Sequence, residues 1–420
     1  MITQAPRGTY DLYGEQMTDW QRVESEIAGL MQAFHYSEIR TPVFEHTELF
    51  QRGVGDTTDI VQKEMYTFED KGGRSITLKP EGTAGAARAY LEHKLYADPQ
   101  PTKLYYVTPC FRYEKPQAGR NRQFTQFGVE LYGASSPVAD VEVISIGYEL
   151  LRRLGINNVM LHINSLGCEN CRARYNNELK AYFGERREQL CDTCRDRLER
   201  NPLRILDCKN PECREIVAGA PSILDALDDE CRAHFEEVKR LLEALGIPYV
   251  VDPGIVRGLD YYTRTVFEFV CTEIGAQGTV CAGGRYDHLI EELGGDAVPA
   301  VGFGAGIERL LLAMKASGRP SAEPCALSLF VGHYGAAVEA EAAALTYRLR
   351  QENIPAECDL LGRSVKAQMK YANKKGARFT MILGDTELET GSAVLKNMEN
   401  GDNTSVFFRD ISDWKGLITG

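Results

Sequence analysis

Two alternating stretches of this chain carry the residue types best able to bind and activate a ligand. In residues 124–133, Gln126, Gly128 and Glu130 share one face of a strand while Phe127, Val129 and Leu131 share the other, because strand side chains alternate. The extended stretch 103–114 offers Arg112 and Glu114 at matching parity. A glycine between two hydrogen-bonding side chains leaves room for a ligand on the strand. A solvated sheet face is the commoner meaning of alternation, yet it explains neither Gly128 nor the basic Lys115, Arg120 and Arg122 in between.

Three further clusters have chemical potential. Arg257, Gly258, Leu259, Asp260, Tyr261, Tyr262, Thr263 and Arg264 lead into a strand, and in extended chain the two tyrosines point apart, one packing and one free to bond a ligand. Gly302, Gly304 and Gly306 allow close backbone approach to a flat ligand, with Arg309 on the helix that follows reaching back over it. This is not a dinucleotide fingerprint, and no segment matches a P-loop, so any ATP site must be a sheet furnished with arginines. Lys79, Pro80, Glu81, Gly82 and Thr83 precede a helical stretch that Thr83 could cap.

The cysteines form a separate pattern. Cys168-x-x-Cys171 and Cys191-x-x-Cys194 are separated by 19 residues, within the spacing of four-cysteine zinc sites, with Cys208 and Cys213 close behind. Structural Zn2+ at Cys168, Cys171, Cys191 and Cys194 is the expectation; free thiols are the alternative.

These groups need scaffolding. Trp20, Val23, Ile27, Leu30, Met31 and Phe34 recur at three- and four-residue spacing, as an amphipathic helix requires. The stretches 103–114 and 124–133 are expected to form an antiparallel hairpin with a long loop. From Cys168 to about Leu245 the charged, helix-forming texture indicates an inserted helical unit, and strand-like sequence resumes at 265–270. A Gly, Pro and Ser stretch near 317–324 marks a linker to a small α/β domain of alternating strand and helix patterns.

With 420 residues and 43% hydrophobic content, the chain supports two or three domains. No signal peptide or membrane span is visible, and twelve cysteines then indicate reduced thiols or metal ligands, so a cytoplasmic location is expected. A net charge of −12 argues against indiscriminate nucleic-acid coating, while Lys366, Lys370 and Lys374 line up on one helix face as a local basic patch.

Taken together these segments resemble the histidyl-tRNA synthetases over essentially the whole chain. Pro6-Arg7-Gly8-Thr9-Tyr10-Asp11 looks like the family's N-terminal signature, and residues 38–52, with Thr41-Pro42, are similar to the class II dimer-interface motif. Phe111-Arg112-Tyr113-Glu114 with Gln126-Phe127-Gly128-Val129-Glu130 resembles the second class II motif, and residues 302–309 the third. Arg257-Gly258-Leu259-Asp260-Tyr261-Tyr262 looks like the signature specific to histidine.

The resemblance implies an α+β protein: a class II antiparallel sheet core at 1–320 with a helical insertion at about 168–248, and an α/β anticodon-binding domain at 326–420. It implies a homodimer that uses ATP with Mg2+ to join L-histidine to tRNA(His) through a histidyl-adenylate. Arg112 and Arg257 would flank the α-phosphate as the catalytic pair, and Arg112, Glu114, Arg120 and Arg309 would hold ATP. The histidine site would comprise Glu81, Gly82, Thr83, Arg112, Gln126, Glu130, Arg257, Tyr261 and Tyr262, with Glu130 and Tyr262 on the imidazole nitrogens. Gln117 and Arg122 would meet the tRNA acceptor end. The main rival is a histidine-sensing regulatory subunit of ATP phosphoribosyltransferase, against which the retained Arg112, Arg257 and Arg309 and the C-terminal domain weigh. A synthetase for proline, threonine or glycine is a second rival.

Overall fold

The amphipathic pattern that begins at Trp20 forms α1 (Glu15–Phe34), which buries Trp20, Val23, Ile27, Leu30 and Met31 and stops where His35 turns left-handed. The computed structural model describes residues 3–55, 58, 60–208, 210–255, 261–275, 278–321 and 326–419. It divides into two compact units, Met1–Ser321 and Ala322–Gly420.

In the first unit β1 (Ser37–Glu38), β2 (Phe44–His46), α2 (Thr47–Val54), β3 (Tyr66–Glu69), β4 (Ser75–Leu78) and α3 (Thr83–Glu92) lead to the long strands β5 (Thr102–Phe111) and β6 (Gln123–Tyr132). Helix α4 (Pro137–Arg153) and β7 (Val159–Ser165) precede the helical insertion, α5 (Glu169–Gly184), α6 (Asp192–Arg200), α7 (Pro211–Val217) and α8 (Asp229–Ala244). The sheet resumes with β8 (Tyr249–Val251), β9 (Thr263–Cys271), β10 (Thr279–Arg285) and, beyond α9 (Leu289–Glu292), β11 (Ala300–Gly306), which runs straight into α10 (Ile307–Ala316).

The eight described strands of the main sheet lie in the order β1-β5-β6-β11-β10-β9-β7-β8. The outermost pairs, β1 with β5 and β7 with β8, are parallel and all others antiparallel. The hairpin forms as expected, and β10 completes the sheet with a strand too rich in glycine to declare itself by β-branched composition.

The two faces of this sheet do different work. Phe127, Val129, Leu131, Phe267, Phe269 and Phe303 point into one large core with α1, α4, α8 and α10. The opposite face carries Gln126, Gly128 and Glu130, with only a smaller cluster of Tyr90, Tyr132, Tyr261, Tyr262 and Tyr286 beside it. Burying one face of an antiparallel sheet leaves the other free to hold a ligand.

The second unit is a mixed sheet in the order β13-β12-β14-β15-β16, from β12 (Leu329–His333), α11 (Ala336–Gln351), β13 (Ala356–Cys358), α12 (Val365–Lys374), β14 (Phe379–Leu383), α13 (Asp385–Thr390), β15 (Ser392–Asn397) and β16 (Asn403–Phe407). Helix α12 buries Gln368 and Ala372, while Lys366, Lys370 and Lys374 are exposed together on its outer side. No described helix is long and apolar enough to cross a membrane.

Candidate active site

Strand register builds the site. Tyr106 of β5 faces Gly128 of β6, which faces Gly304 of β11, while Glu130 faces Gly302 and Gln126 faces Gly306. A Cβ on Gly302 would lie 2.1 Å from Glu130 Oε2, and one on Gly304 would lie 2.4 Å from Gln126 Nε2. The glycines of β11 therefore make space for the polar side chains of β6. They also form a flat wall of a cavity of about 270 Å³, which Glu81, Thr83, Arg112, Glu114, Arg120, Gln126, Tyr261, Tyr262 and Arg309 line from the other sides.

Each polar group is held in place by a defined partner. Arg112, just past the end of β5, donates from Nε to the Pro80 carbonyl at 2.8 Å, with its guanidinium 5.3 Å from the centre of the Phe124 ring. Glu114 accepts from Arg120 Nη1 at 3.0 Å. Burial, and after it the charge of Arg120, pushes the Arg309 guanidinium below its ordinary pKa, so a second anion at this end of the cavity would be welcome. Gln126 Oε1 accepts from the Gly82 amide at 2.8 Å. The first turn of α3 is capped by Glu81, whose carboxylate accepts from the Thr83 and Ala84 amides at 2.7 and 2.8 Å. Thr83 was the expected cap; the longer Glu81 side chain, two residues earlier, reaches forward to those amides instead, and burial raises its pKa despite them.

Glu130 is fully buried, with Oε1 accepting from Tyr106 Oη at 2.9 Å and Oε2 from Tyr286 Oη. Burial lifts its pKa from 4.5 to about 8, and the tyrosine hydroxyls oppose that rise. The folded protein thus holds a proton that the unfolded chain releases near the ordinary carboxylate value. Stability falls as pH rises from about 5 to 8 and levels off above, with a slope of up to about 1.4 kcal/mol per pH unit. Urea unfolding of the wild type and Glu130→Gln at pH 6, 7 and 8 checks this: the substitution removes that part of the slope, and parallel profiles would refute it.

A model of the histidyl-tRNA synthetase family matches residues 8–310, and one of the anticodon-binding domain matches residues 328–414. The chain is 54% identical over 411 residues to a histidine--tRNA ligase of Caldanaerobacter subterraneus subsp. tengcongensis, covering 98% of this chain and 99% of the relative. It is 55% identical over 406 residues to that of Acetivibrio thermocellus, covering 97% of each. The chain belongs to the histidyl-tRNA synthetases. The crystal structure of apo S. aureus histidyl-tRNA synthetase superposes with a TM-score of 0.84 at 40% identity, covering 98% of this chain and 99% of that one. The expected class II α+β core and C-terminal anticodon-binding fold are thereby present. A Bacillus halodurans protein described as an ATP phosphoribosyltransferase regulatory subunit/histidyl-tRNA synthetase shares the fold at a TM-score of 0.67 and 23% identity.

Within this synthetase several expectations need correcting. Gly128 does not leave a ligand slot: the Tyr106 ring fills the space, 2.1 Å from where a Cβ would stand, and presses on Gly82 in the same way. Tyr261 and Tyr262 do not diverge, because Tyr261 sits in a turn and β9 begins only at Thr263; both line the cavity with ring centroids 4.7 Å apart. Gln117 and Arg122, expected at the tRNA acceptor end, keep that expectation unchanged and lie beyond the cavity lining: Gln117 pairs with Arg120 across a tight turn, and Arg122 stacks 4.0 Å from the Tyr113 ring centre. Arg257 and Gly258 to Asp260 lie outside the described residues.

The two cysteine pairs do not meet in one site. Cys191 and Cys194 gather with Cys208 and Cys213, and Cys168 and Cys171 gather with Asp228 and Cys231. Chain folding, which spacing does not record, divides them: α5 packs its start against the start of α8, and α6 its start against α7.

Tyr106, Tyr286 and Glu308 were not singled out by sequence. Tyr106 was legible in principle, having the same parity as Arg112, whereas Tyr286 follows the unrecognised β10. Glu308 accepts from the Thr125 amide at 2.9 Å and from Tyr10 Oη at 3.2 Å, tying the N-terminal signature to the site.

Proposed function

We infer that this synthetase attaches L-histidine to tRNA(His) at the expense of ATP, and that it does so in two steps within the cavity on the polar face of β6. The carboxylate of histidine attacks the α-phosphate; an O–P bond forms, the bond to the β-phosphate oxygen breaks, and pyrophosphate leaves. A terminal ribose hydroxyl of the tRNA then takes the acyl group and AMP departs. Both steps need charge neutralised at the reacting centre more than they need a covalent intermediate.

Arg112, already oriented by Pro80, would hold the α-phosphate, with Arg257 as its counterpart. Arg309, Arg120 and Glu114 would hold the nucleotide, and Phe124 offers adenine a flat face. Mg2+ would come with ATP and screen its phosphate charge, the carboxylates of Glu81, Glu114 and Glu308 already accepting hydrogen bonds from the chain itself. Glu81, Gly82, Thr83 and Gln126 would surround the α-amino group. The imidazole would lie against Tyr261, with its nitrogens read by Tyr262 and by Glu130 once a tyrosine hydroxyl yields to the ring N–H. A buried acceptor left unpaired by an isostere gives the discrimination. Gln117, Arg122 and the lysine face of α12 would contact tRNA, and the site of work would be the cytoplasm.

The convergence of Arg112, Arg309, Glu81 and Gln126 on one cavity carries this reading. Histidine-dependent exchange of labelled pyrophosphate into ATP, without tRNA and with proline, threonine and glycine as controls, tests it. Exchange with histidine alone supports the reading; histidine binding without exchange overturns it.

We also propose a homodimer. Phe44, Tyr66, Phe68, Ile76 and Leu78 share one face of the small sheet β2-β4-β3, where Phe44 is 52% and Phe68 48% exposed. Exposed aromatics on one sheet face are what a protein interface covers. Phe44→Glu with Phe68→Glu should convert a sedimenting dimer of twice 46.8 kDa into monomer; an unchanged dimer would place the interface elsewhere.

A further inference from the structure

We propose that the helical insertion holds two separate zinc ions, one within it and one at its base, and that the basal ion positions Tyr262 in the cavity. The inner site is Cys191, Cys194, Cys208 and Cys213; the basal site is Cys168, Cys171, Asp228 and Cys231, and in each the four ligand atoms lie within 4.8 Å of one another.

The geometry suits tetrahedral zinc. With Zn–S bonds of about 2.3 Å, sulfurs around one ion are about 3.8 Å apart. Cys168 and Cys171 Sγ are 3.6 Å apart, and Cys191 and Cys208 Sγ are 3.9 Å apart, and all of these cysteines are free of disulfides. Asp228 Oδ2 lies 3.1 Å from Cys168 Sγ, completing an S3O set.

The ligands occupy repeated local positions. Cys168 precedes α5, Cys191 precedes α6 and Asp228 precedes α8, each as the N-cap, with Cys171, Cys194 and Cys231 three residues on. Cap and third helical residue both project beyond the helix start, where the positive end of the dipole favours anionic ligands. The Asp228 amide donates to Cys171 Sγ at 3.1 Å and the Cys191 amide to Cys213 Sγ at 3.3 Å, the outer support that fixes thiolate ligands. Clustered cysteines without a cation cross-link nothing, and the small apolar cluster of the insertion, Tyr175, Leu179, Phe183, Leu190 and Leu198 among its members, gives little else to hold the two ends.

The basal site adjoins the histidine pocket through backbone. Immediately before Cys168, the Leu166 amide donates to the Arg264 carbonyl at 2.7 Å and the Arg264 amide returns to Gly167 at 2.9 Å. One residue beyond Cys171, the Arg172 guanidinium donates to the Tyr262 carbonyl. An ion that locks the start of α5 thus fixes the peptide that carries Tyr262 into the cavity. This last step rests on the histidine site proposed above; the metal content does not.

The 420-residue chain, purified without a metal-chelating tag, is analysed for metals and by X-ray absorption at the zinc edge. Two zinc ions per chain with Zn–S at about 2.3 Å are expected, falling to one in Cys208→Ser and one in Cys231→Ser. No bound metal, iron with visible charge-transfer absorption, or disulfides found by mass in the folded protein overturns the proposal. In pyrophosphate exchange Cys231→Ser should raise the KM for histidine by roughly tenfold with little change in that for ATP, whereas Cys208→Ser leaves both unchanged. Two ions without that selective shift refute the positioning role and leave the metal sites standing; loss of exchange with every amino acid in the wild type would instead strike the functional reading.

Discussion

Substituting Arg112→Ala is expected to lower the kcat of histidine-dependent pyrophosphate exchange by about a hundred- to a thousandfold, the usual effect of removing one preorganised donor from a developing anion. The side chain has the features that make such a donor effective. Its Nε is committed to the Pro80 carbonyl, so the guanidinium plane is set before a substrate arrives. It lines the same cavity as Arg120 and Arg309, but those two lie with Glu114 around the motif loop and α10, whereas Arg112 sits beside Glu81 and Gln126, where an amino acid carboxylate would meet the phosphate. Neutralising charge at that meeting point lowers the barrier more than it strengthens binding, so kcat should fall further than the KM for ATP or histidine rises. Arg112→Lys keeps a cation but loses both the fork and the bond to Pro80, and is expected to stay at least about tenfold below the wild type. Steady-state exchange with both substrates varied decides it. Full activity in Arg112→Ala with an unchanged circular dichroism spectrum would remove this arginine from the reaction.

The parts of this site that were legible in sequence are those governed by a period of two. Strand alternation placed Gln126 and Glu130 together and aligned Arg112 with them, since one face of β6 had to serve the core through Phe127, Val129 and Leu131. The parts that escaped depend on register between strands far apart in sequence. Gly128 signals a vacancy but not its occupant, and only the pairing of Tyr106 with Gly128 reveals that the vacancy belongs to an aromatic ring. Likewise the flatness of the β11 wall is a consequence of Gly302 facing Glu130, a contact between residues that local pattern cannot connect. The cysteines failed for a related reason. Motif spacing groups neighbours in sequence, whereas α5 and α8 bring together Cys171 and Asp228 across 57 residues. The C-terminal unit was easier, because its strands and helices alternate along the chain and each buries its own apolar set.

The largest effect on stability is expected outside the cavity lining, at Asp140 of α4. Its side chain is fully buried on the core side of the sheet, opposite the cavity, and accepts from Arg285 of β10 at 3.2 Å from Nε and 2.5 Å from Nη2. Arg285, itself 1% exposed, also donates to the Ala134 carbonyl and to Asp287. Burial alone would push the Asp140 carboxyl up, but Arg285 and His234 hold it below its ordinary value of 3.8. The sign follows: the pair stabilises the fold fully at neutral pH and is lost as pH drops below about 4 and the carboxylate protonates. Asp140→Ala removes the fully buried one of Arg285's two carboxylate partners and leaves the guanidinium with the more exposed Asp287 alone, at a cost of about 3 kcal/mol. That is a large part of the roughly 5–15 kcal/mol that holds a typical domain. Because Trp20 and Trp414 are the two tryptophans and sit in different units, urea unfolding followed by fluorescence in a Trp414→Phe background reports the catalytic unit alone. The double substitution Asp140→Leu with Arg285→Met removes both charges and should recover most of the loss, since desolvating an ion pair costs about what the pair returns. If the double variant is as unstable as Asp140→Ala, the penalty comes from lost packing around α4 and β10, and the lost countercharge is not its source.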